Sequence, residues 1–269
     1  TGWISSAGEY VNKFEEAIQS YTGAKYAIAC MNGTAGLQIS LILAGVTKND
    51  IVIAPNLTFV ATLNAISYIS AQTVLIDNCE DSWQIDVDLL EKWLIENTTT
   101  IIEDKPITIE KLSGKKVGAI MPVYVLGGFV DTDKLLKIST KYGIPIIEDS
   151  TEALGSFKKG KHAGTFGLTG VLSFNGNKII STGGGGMILT DNQDIAIRAR
   201  HITTTAKSDP LEYFHDEVGY NYRLVNVLAA IGVAQMENFE QILKRKKEID
   251  ALYKKELEGV GDIKFQTND

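Results

Sequence analysis

The chain has 269 residues, 44% of them hydrophobic, enough to bury a full core in one large domain or in one domain plus part of a second. A formal charge of −7, with pI ≈ 5.1, argues against a general nucleic-acid binder, which needs a basic face to release counterions. No apolar run approaches the ~20 residues that span a bilayer, and the opening TGWISSAGEYVNKFEE lacks a basic-then-apolar leader, so no membrane partner and a cytoplasmic home are expected.

Gly8 to Tyr21 carries Tyr10, Val11, Phe14, Ala17, Ile18 and Tyr21 at helical spacing, and Gly23 stops it. Tyr26 to Cys30 reads as a strand. Asn32-Gly33-Thr34-Ala35-Gly36 then opens a helix whose apolar face runs through Leu37, Leu41 and Leu43 to Gly45. A strand, a tight turn and a helix amino terminus together offer free N–H groups to a phosphate, although Thr34 taken alone reads as an ordinary helix start. Ile51 to Ala54 and Thr73 to Asp77 are short apolar strands, separated by a helix from Thr58 to Ile69 with Phe59 in its first turn.

After a helix at Val87 to Ile95 comes a polar stretch, Glu96 to Lys116, which reads as an insertion with a short hairpin around Ser113-Gly114. Val117 to Val123 is a strand, Thr132 to Tyr142 a helix, and Gly143-Ile144-Pro145 leads into a strand ending in Glu148 and Asp149. Asp191 opens a helix through Ala199 and Arg200, and His201 to His215 is a polar loop. Asn226 to Leu257 is a long, broken helical region whose charged end, QILKRKKEIDALYKKEL, is a solvated face. Alternating strands and helices predict an α/β domain with a mostly parallel sheet flanked by helices. Cys30 and Cys79 each lie at the end of a predicted strand and read as small buried hydrophobes, while His162, His201 and His215 show no ligand spacing, so no metal is expected.

The chemistry concentrates in SFNGNKIISTGGGGM, Ser173 to Met187, where Lys178 lies between a buried strand and the glycines Gly183 to Gly186. An isolated lysine before a glycine turn is most often a solvated loop residue. A second stretch, IIEDSTEALG from Ile146 to Gly155, shifts that balance, because it places Asp149 at the carboxyl end of a parallel strand. A lysine that can bond a carbonyl as a Schiff base and an aspartate that can keep a pyridine nitrogen protonated suit pyridoxal 5'-phosphate.

These motifs, with MNGTAGL, PNLTFVATLNAI and GYNYRL, occur in one order along nearly the whole chain, and they resemble the DegT/StrS-type (DegT/DnrJ family) sugar-nucleotide aminotransferases. The resemblance implies the large domain of fold-type I pyridoxal-phosphate enzymes over residues 1–240. Residues 241–269 would then begin a small carboxy-terminal domain that is otherwise largely absent, along with a short amino-terminal segment. It implies Lys178 as covalent anchor and general base, with Asp149 on the ring nitrogen. Phe59 would lie over the ring. Gly33, Thr34 and Ser173 would hold the phosphate, joined by Asn221 from the other subunit of a homodimer with shared active sites. Glu152 stands where relatives often carry glutamine near the phenolic oxygen, and Arg223 is either an anion contact or a structural arginine.

Tyr124 occupies a position where relatives often have histidine, and Gly184 one where many have glutamate. The all-glycine loop, the insertion and the segment ITTTAKSDPLEYFHDEVGYNYR are most similar to the branch that aminates UDP-linked 4-keto-6-deoxy-N-acetylhexosamines toward legionaminic acid or bacillosamine. The expected activity is therefore transamination of a nucleotide-linked keto sugar, with glutamate as donor, for a surface-glycan amino sugar. Weighed beside it are a GDP-perosamine-type synthase and a non-catalytic regulator or sugar-nucleotide binding protein on the same fold. A binding protein would not need Lys178, and a phosphate-loop reading of GGGG fails because the lysine precedes the glycines.

Overall fold

The computed structural model describes residues 2, 4–209 and 211–266. The first half runs α1 (Glu9–Thr22), β1 (Tyr26–Cys30), α2 (Gly33–Leu43), β2 (Asp50–Pro55), α3 (Val60–Tyr68), β3 (Gln72–Ile76), α4 (Val87–Asn97), β4 (Thr98–Ile102) and β5 (Pro106–Glu110). There follow β6 (Lys116–Ile120), α5 (Thr132–Tyr142), β7 (Ile147–Asp149), β8 (Phe157–Lys158), β9 (Lys161–His162), β10 (Thr169–Ser173) and β11 (Gly186–Thr190). The chain closes with α6 (Gln193–Thr203), β12 (Lys207–Asp209), β13 (Phe214–His215), α7 (Asn226–Glu237) and α8 (Phe239–Leu257).

β2 pairs in parallel with β3 and β6, and β7 with β10. Parallel bridges Ile120–Ile146 and Val123–Asp149 join the two groups. β11 is antiparallel to both β10 and β1. The main sheet therefore has the order β3-β2-β6-β7-β10-β11-β1, mostly parallel as expected, with β11 reversed. Its central strands are apolar end to end because helices cover both faces: Ile51, Val52, Ile53 and Ala54 are all buried, as are Met187, Ile188 and Leu189.

The helices bury the stripes that their spacing predicts. α1 presents Val11, Phe14 and Ile18 to the core, and Gly23 ends it in the left-handed conformation, φ 76°. Phe14 meets Phe174 at a ring-centroid distance of 4.8 Å, while Gly232 lets α7 approach so closely that a Cβ there would lie 2.6 Å from the Phe14 ring. Buried Glu15 clamps this corner, accepting from the Ala29 amide at 2.8 Å and pairing with Arg200 and Arg223. Arg223 also donates to the Ala29 carbonyl, so its role in this chain is structural.

Several local readings need correction. The expected hairpin at Ser113-Gly114 is present and sets β5 antiparallel to β6, but the polar insertion also holds an antiparallel β4–β5 hairpin turning at 103–105. α6 continues to Thr203 and is capped by Asn192 rather than Asp191, because Asp191 accepts from the Lys25 amide. The loop after it contains the β12–β13 hairpin. Phe59 precedes α3 as its amino-terminal cap rather than lying in its first turn. Cys79 is half-buried beyond the end of β3, whereas burial pushes the Cys30 thiol up to about 12 and leaves it inert. The expected break in the last helical region falls at Asn238, between α7 and α8.

Candidate active site

The carboxyl ends of β7 and β10, the amino end of α2 and the start of α3 enclose a cavity of about 310 Å³. Gly33, Thr34, Phe59, Asp149, Glu152, Ser173 and Lys178 all line it, so every proposed site residue except Asn221 converges there. Asn221 is exposed and bridges to Thr204, outside the cavity of its own chain.

The α2 terminus is built as an anion cup. The Asn32 side chain accepts from the Ala35 amide at 2.8 Å, and the Asn32 carbonyl accepts from the Gly36 amide at 3.1 Å. The amides of Gly33 and Thr34 have no protein partner among the described residues, as expected in the first turn of a helix. Small neighbours keep the cup open. A Cβ on Gly33 would lie 3.0 Å from the Thr151 methyl and 3.1 Å from Ser173 Cβ, and one on Gly186 would lie 2.6 Å from the Asn32 carbonyl.

The loop carrying Lys178 is closed at its base, where the Phe174 amide donates to the Gly185 carbonyl at 2.9 Å and the Thr182 amide to the Phe174 carbonyl at 3.0 Å. Gly183 at φ 79° and Gly185 at φ 154° permit that closure. With Phe174 anchored in the core, Lys178 is turned back into the cavity, its side chain 12% exposed. Its Nζ donates to Glu152 Oε1 at 3.2 Å, and Glu152 Oε2 accepts from the Leu126 amide at 3.0 Å.

Asp149 is the buried charge. Its Oδ2 accepts from the Thr62 hydroxyl at 2.6 Å and its Oδ1 from the Thr151 amide at 3.2 Å. Burial raises its carboxyl above the ordinary range, against the bonds from Thr62 and Thr151 and the charge of Lys178. Glu148, the neighbouring residue, points to the other face of the strand. There it accepts from the Tyr124 hydroxyl at 2.6 Å and from the amides of Gly164, Phe166 and Gly167. Tyr124 is thus a buried structural partner of Glu148 and does not line the cavity. Phe59 is the cavity's aromatic wall, and it is 73% exposed.

Residues 1–269, the whole chain, match the model of the DegT/DnrJ/EryC1/StrS aminotransferase family. The chain belongs to this family. It is 35% identical over 267 residues to GDP-perosamine synthase of Escherichia coli O157:H7, covering 99% of this chain and 68% of that protein. It is 37% identical over 265 residues to EpsN of Bacillus subtilis (strain 168), a proposed pyridoxal phosphate-dependent aminotransferase, covering 98% and 65%. Among solved structures, S. venezuelae DesV superposes with a TM-score of 0.87 at 25% identity, over 100% of this chain and 67% of DesV. The chain thus spans about two-thirds of the length of these family members.

Pyridoxal 5'-phosphate is the cofactor of DegT/DnrJ-family aminotransferases, and the residues present fit it. The unpartnered amides of the α2 cup and the Ser173 hydroxyl suit a phosphate. The buried Asp149 carboxylate accepts from the Thr62 hydroxyl and the Thr151 amide, and its four lone-pair sites leave room for an N–H from a ring nitrogen. Lys178 lines the same cavity as the cup. Thr62 and Glu148 escaped sequence reading: Thr62 looks like one more polar residue in a helix, and Glu148 like half of an acidic pair. The period-2 alternation along β7 could have assigned that pair to opposite faces. Outside this cavity, His201, Asp216 and Glu217 bring their ligand atoms within 4.8 Å of one another, although the three histidines show no ligand spacing in the chain; Asp216 bonds His201 and Glu217 pairs with Arg198. No described helix is long and apolar enough to cross a membrane.

Proposed function

We propose that this chain forms the cofactor-binding part of a cytoplasmic aminotransferase that moves an amino group from glutamate to a nucleotide-linked 4-keto-6-deoxy sugar. The observation that carries this reading is the convergence of Lys178, Asp149, Glu152 and the α2 cup in one cavity. Bound pyridoxal 5'-phosphate supplies an electron sink that stabilises negative charge at the carbon losing its proton. Lys178 Nζ is both covalent anchor and, once released, the base that removes and returns that proton. Glu152 orients the amine through its 3.2 Å contact and is itself held by the Leu126 amide. Asp149 would hold the ring nitrogen through a charge-assisted hydrogen bond, and Phe59 would offer an apolar face to the ring.

Asn221 is assigned to the cavity of a second copy, which makes the working unit a homodimer with shared sites. Its exposed position outside its own cavity supports this assignment. Residues 241–269, within and beyond α8, are assigned as the start of a second domain, consistent with the largely exposed surface of that helix. For the nucleotide, similarity to GDP-perosamine synthase puts a GDP-linked sugar ahead of the UDP-linked sugar expected from the glycine loop and the insertion.

Protein reconstituted with pyridoxal phosphate should turn yellow, and borohydride should fix the cofactor to the peptide containing Lys178. Labelling at another lysine would remove the assignment. After loading with glutamate, recovery of the starting absorbance with GDP-, UDP- and dTDP-linked 4-keto-6-deoxy sugars then ranks the substrates. Recovery with none of them would favour the non-catalytic reading.

A further inference from the structure

Thr62 lies in the first turn of α3 and is completely buried, with its hydroxyl 2.6 Å from Asp149 Oδ2. Its oxygen is also 2.8 Å from that of Thr58, which precedes the α3 cap, and the Thr58 hydroxyl is 3.1 Å from the Phe59 carbonyl. The backbone of Asp149 is fixed independently, since its amide donates to the Pro122 carbonyl at 2.9 Å and its carbonyl accepts from the Tyr124 amide at 3.0 Å. What remains to be set is the direction and charge of the carboxyl group.

Proton counting fixes how this chain of hydroxyls works. An ionised Asp149 can only accept, so the single hydroxyl proton of Thr62 points at Oδ2. The Thr62–Thr58 contact then requires the proton of Thr58, which leaves the Phe59 carbonyl. If Oδ2 carries a proton, two bonds reverse and a third forms: Asp149 donates to Thr62, Thr62 to Thr58, and Thr58 to the Phe59 carbonyl. Both states use the same heavy-atom positions, and the outer end of the chain is the backbone of the residue whose ring walls the cavity.

We propose that Thr62, backed by Thr58, is a positioning residue that holds Asp149 as an oriented carboxylate and relays its charge state to the Phe59 carbonyl. The catalytic consequence rests on the cofactor reading above, whereas the relay itself does not. Few other charges compete for Asp149. Lys178 faces it from the loop after β10, with Glu152 bonded to that lysine, while Glu148 is occupied on the opposite face of β7. Without the Thr62 hydroxyl, Oδ2 would lose its 2.6 Å donor, the largest of the hydrogen bonds that favour the ionised carboxylate.

The test follows the Asp149 carboxyl by NMR on protein labelled with 13C-aspartate, without cofactor, in wild type, Thr62→Ser, Thr62→Val and Thr58→Val. Thr62→Val should raise the pH at which Asp149 titrates by about one unit, a roughly tenfold change in its acid equilibrium. Thr62→Ser should stay near wild type, and Thr58→Val should shift the titration less but in the same direction. Pyridoxal phosphate affinity by equilibrium dialysis should weaken about tenfold in Thr62→Val and recover in Thr62→Ser.

Unchanged Asp149 titration in both valine variants would overturn the relay, as would a serine variant as impaired as the valine one. If Thr62→Val does not fold, Thr58→Val decides. Failure of the wild type to bind pyridoxal phosphate at Lys178 would sink the cofactor reading instead, and the titration would still judge the relay.

Discussion

Gly186→Ala should cripple the anion cup without replacing any residue assigned to the ligand. Gly186 pairs with Cys30 across β11 and β1, and its α-carbon faces the Asn32–Gly33 turn. An added Cβ would sit 2.6 Å from the Asn32 carbonyl carbon and oxygen and 2.8 Å from the Gly33 nitrogen, where ordinary contact begins at 3.4 Å. The neighbours are backbone, so no side chain can swing away, and the turn must retreat by several tenths of an ångström. Overpacking of this kind costs about 1–3 kcal/mol of stability. A similar displacement of the Gly33 and Thr34 amides should cost one phosphate hydrogen bond, about 1.5–3 kcal/mol, or roughly 10- to 100-fold in pyridoxal phosphate affinity. Gly184→Ala is the control, because the nearest atom to its added Cβ is the Met31 carbonyl oxygen at 4.0 Å. Cofactor titration and thermal melts of both variants check this. Equal affinity in Gly186→Ala and wild type would refute the argument that the close approach shapes the cup.

Asp149→Asn separates stability from function. Because burial raises the folded carboxyl, its favourable contribution is complete below the unfolded value near 3.9 and is lost as pH rises through the folded value. At pH 7 the cofactor-free Asp149→Asn protein should therefore resist urea better than wild type, with the advantage vanishing toward pH 4. Its single-turnover rate with glutamate should nevertheless fall about 100-fold or more, since a neutral partner no longer holds the ring nitrogen protonated. His162 acts in the opposite sense, its buried imidazole depressed to about 4 from 6.5 by desolvation. The unfolded chain takes up that proton first, so up to about 3 kcal/mol of stability should disappear as pH falls from about 6.5 to about 4. The difference between wild-type and His162→Gln urea curves across that range measures it.

Much of the fold was legible in the chain because the signals are local. The stripe Val11, Phe14, Ile18 makes α1 amphipathic wherever it lies, and Gly23 ends it by its tolerance of positive φ. The polar insertion was harder to read. Thr98 to Glu110 alternates weakly, and its hairpin forms because β5 has the start of β6 to pair with, which no local pattern announces. Tyr124 stands where relatives often have histidine, and burial beside Glu148 makes it a support of the 164–167 turn.

The amino-acid sequence by itself determined the chemical inventory and its placement along the chain: a lysine before a glycine loop, an aspartate at a strand end, and a helix start rich in small residues. These depend on neighbours a few positions away, where propensity and turn chemistry act. Only the tertiary structure decided which carboxylate faces the cavity, that Glu152 rather than Asp149 receives the Lys178 amine, and that Thr62 reaches Asp149 from another element. Those contacts join segments distant in sequence, and their geometry follows from how β7, β10 and α3 pack around one core.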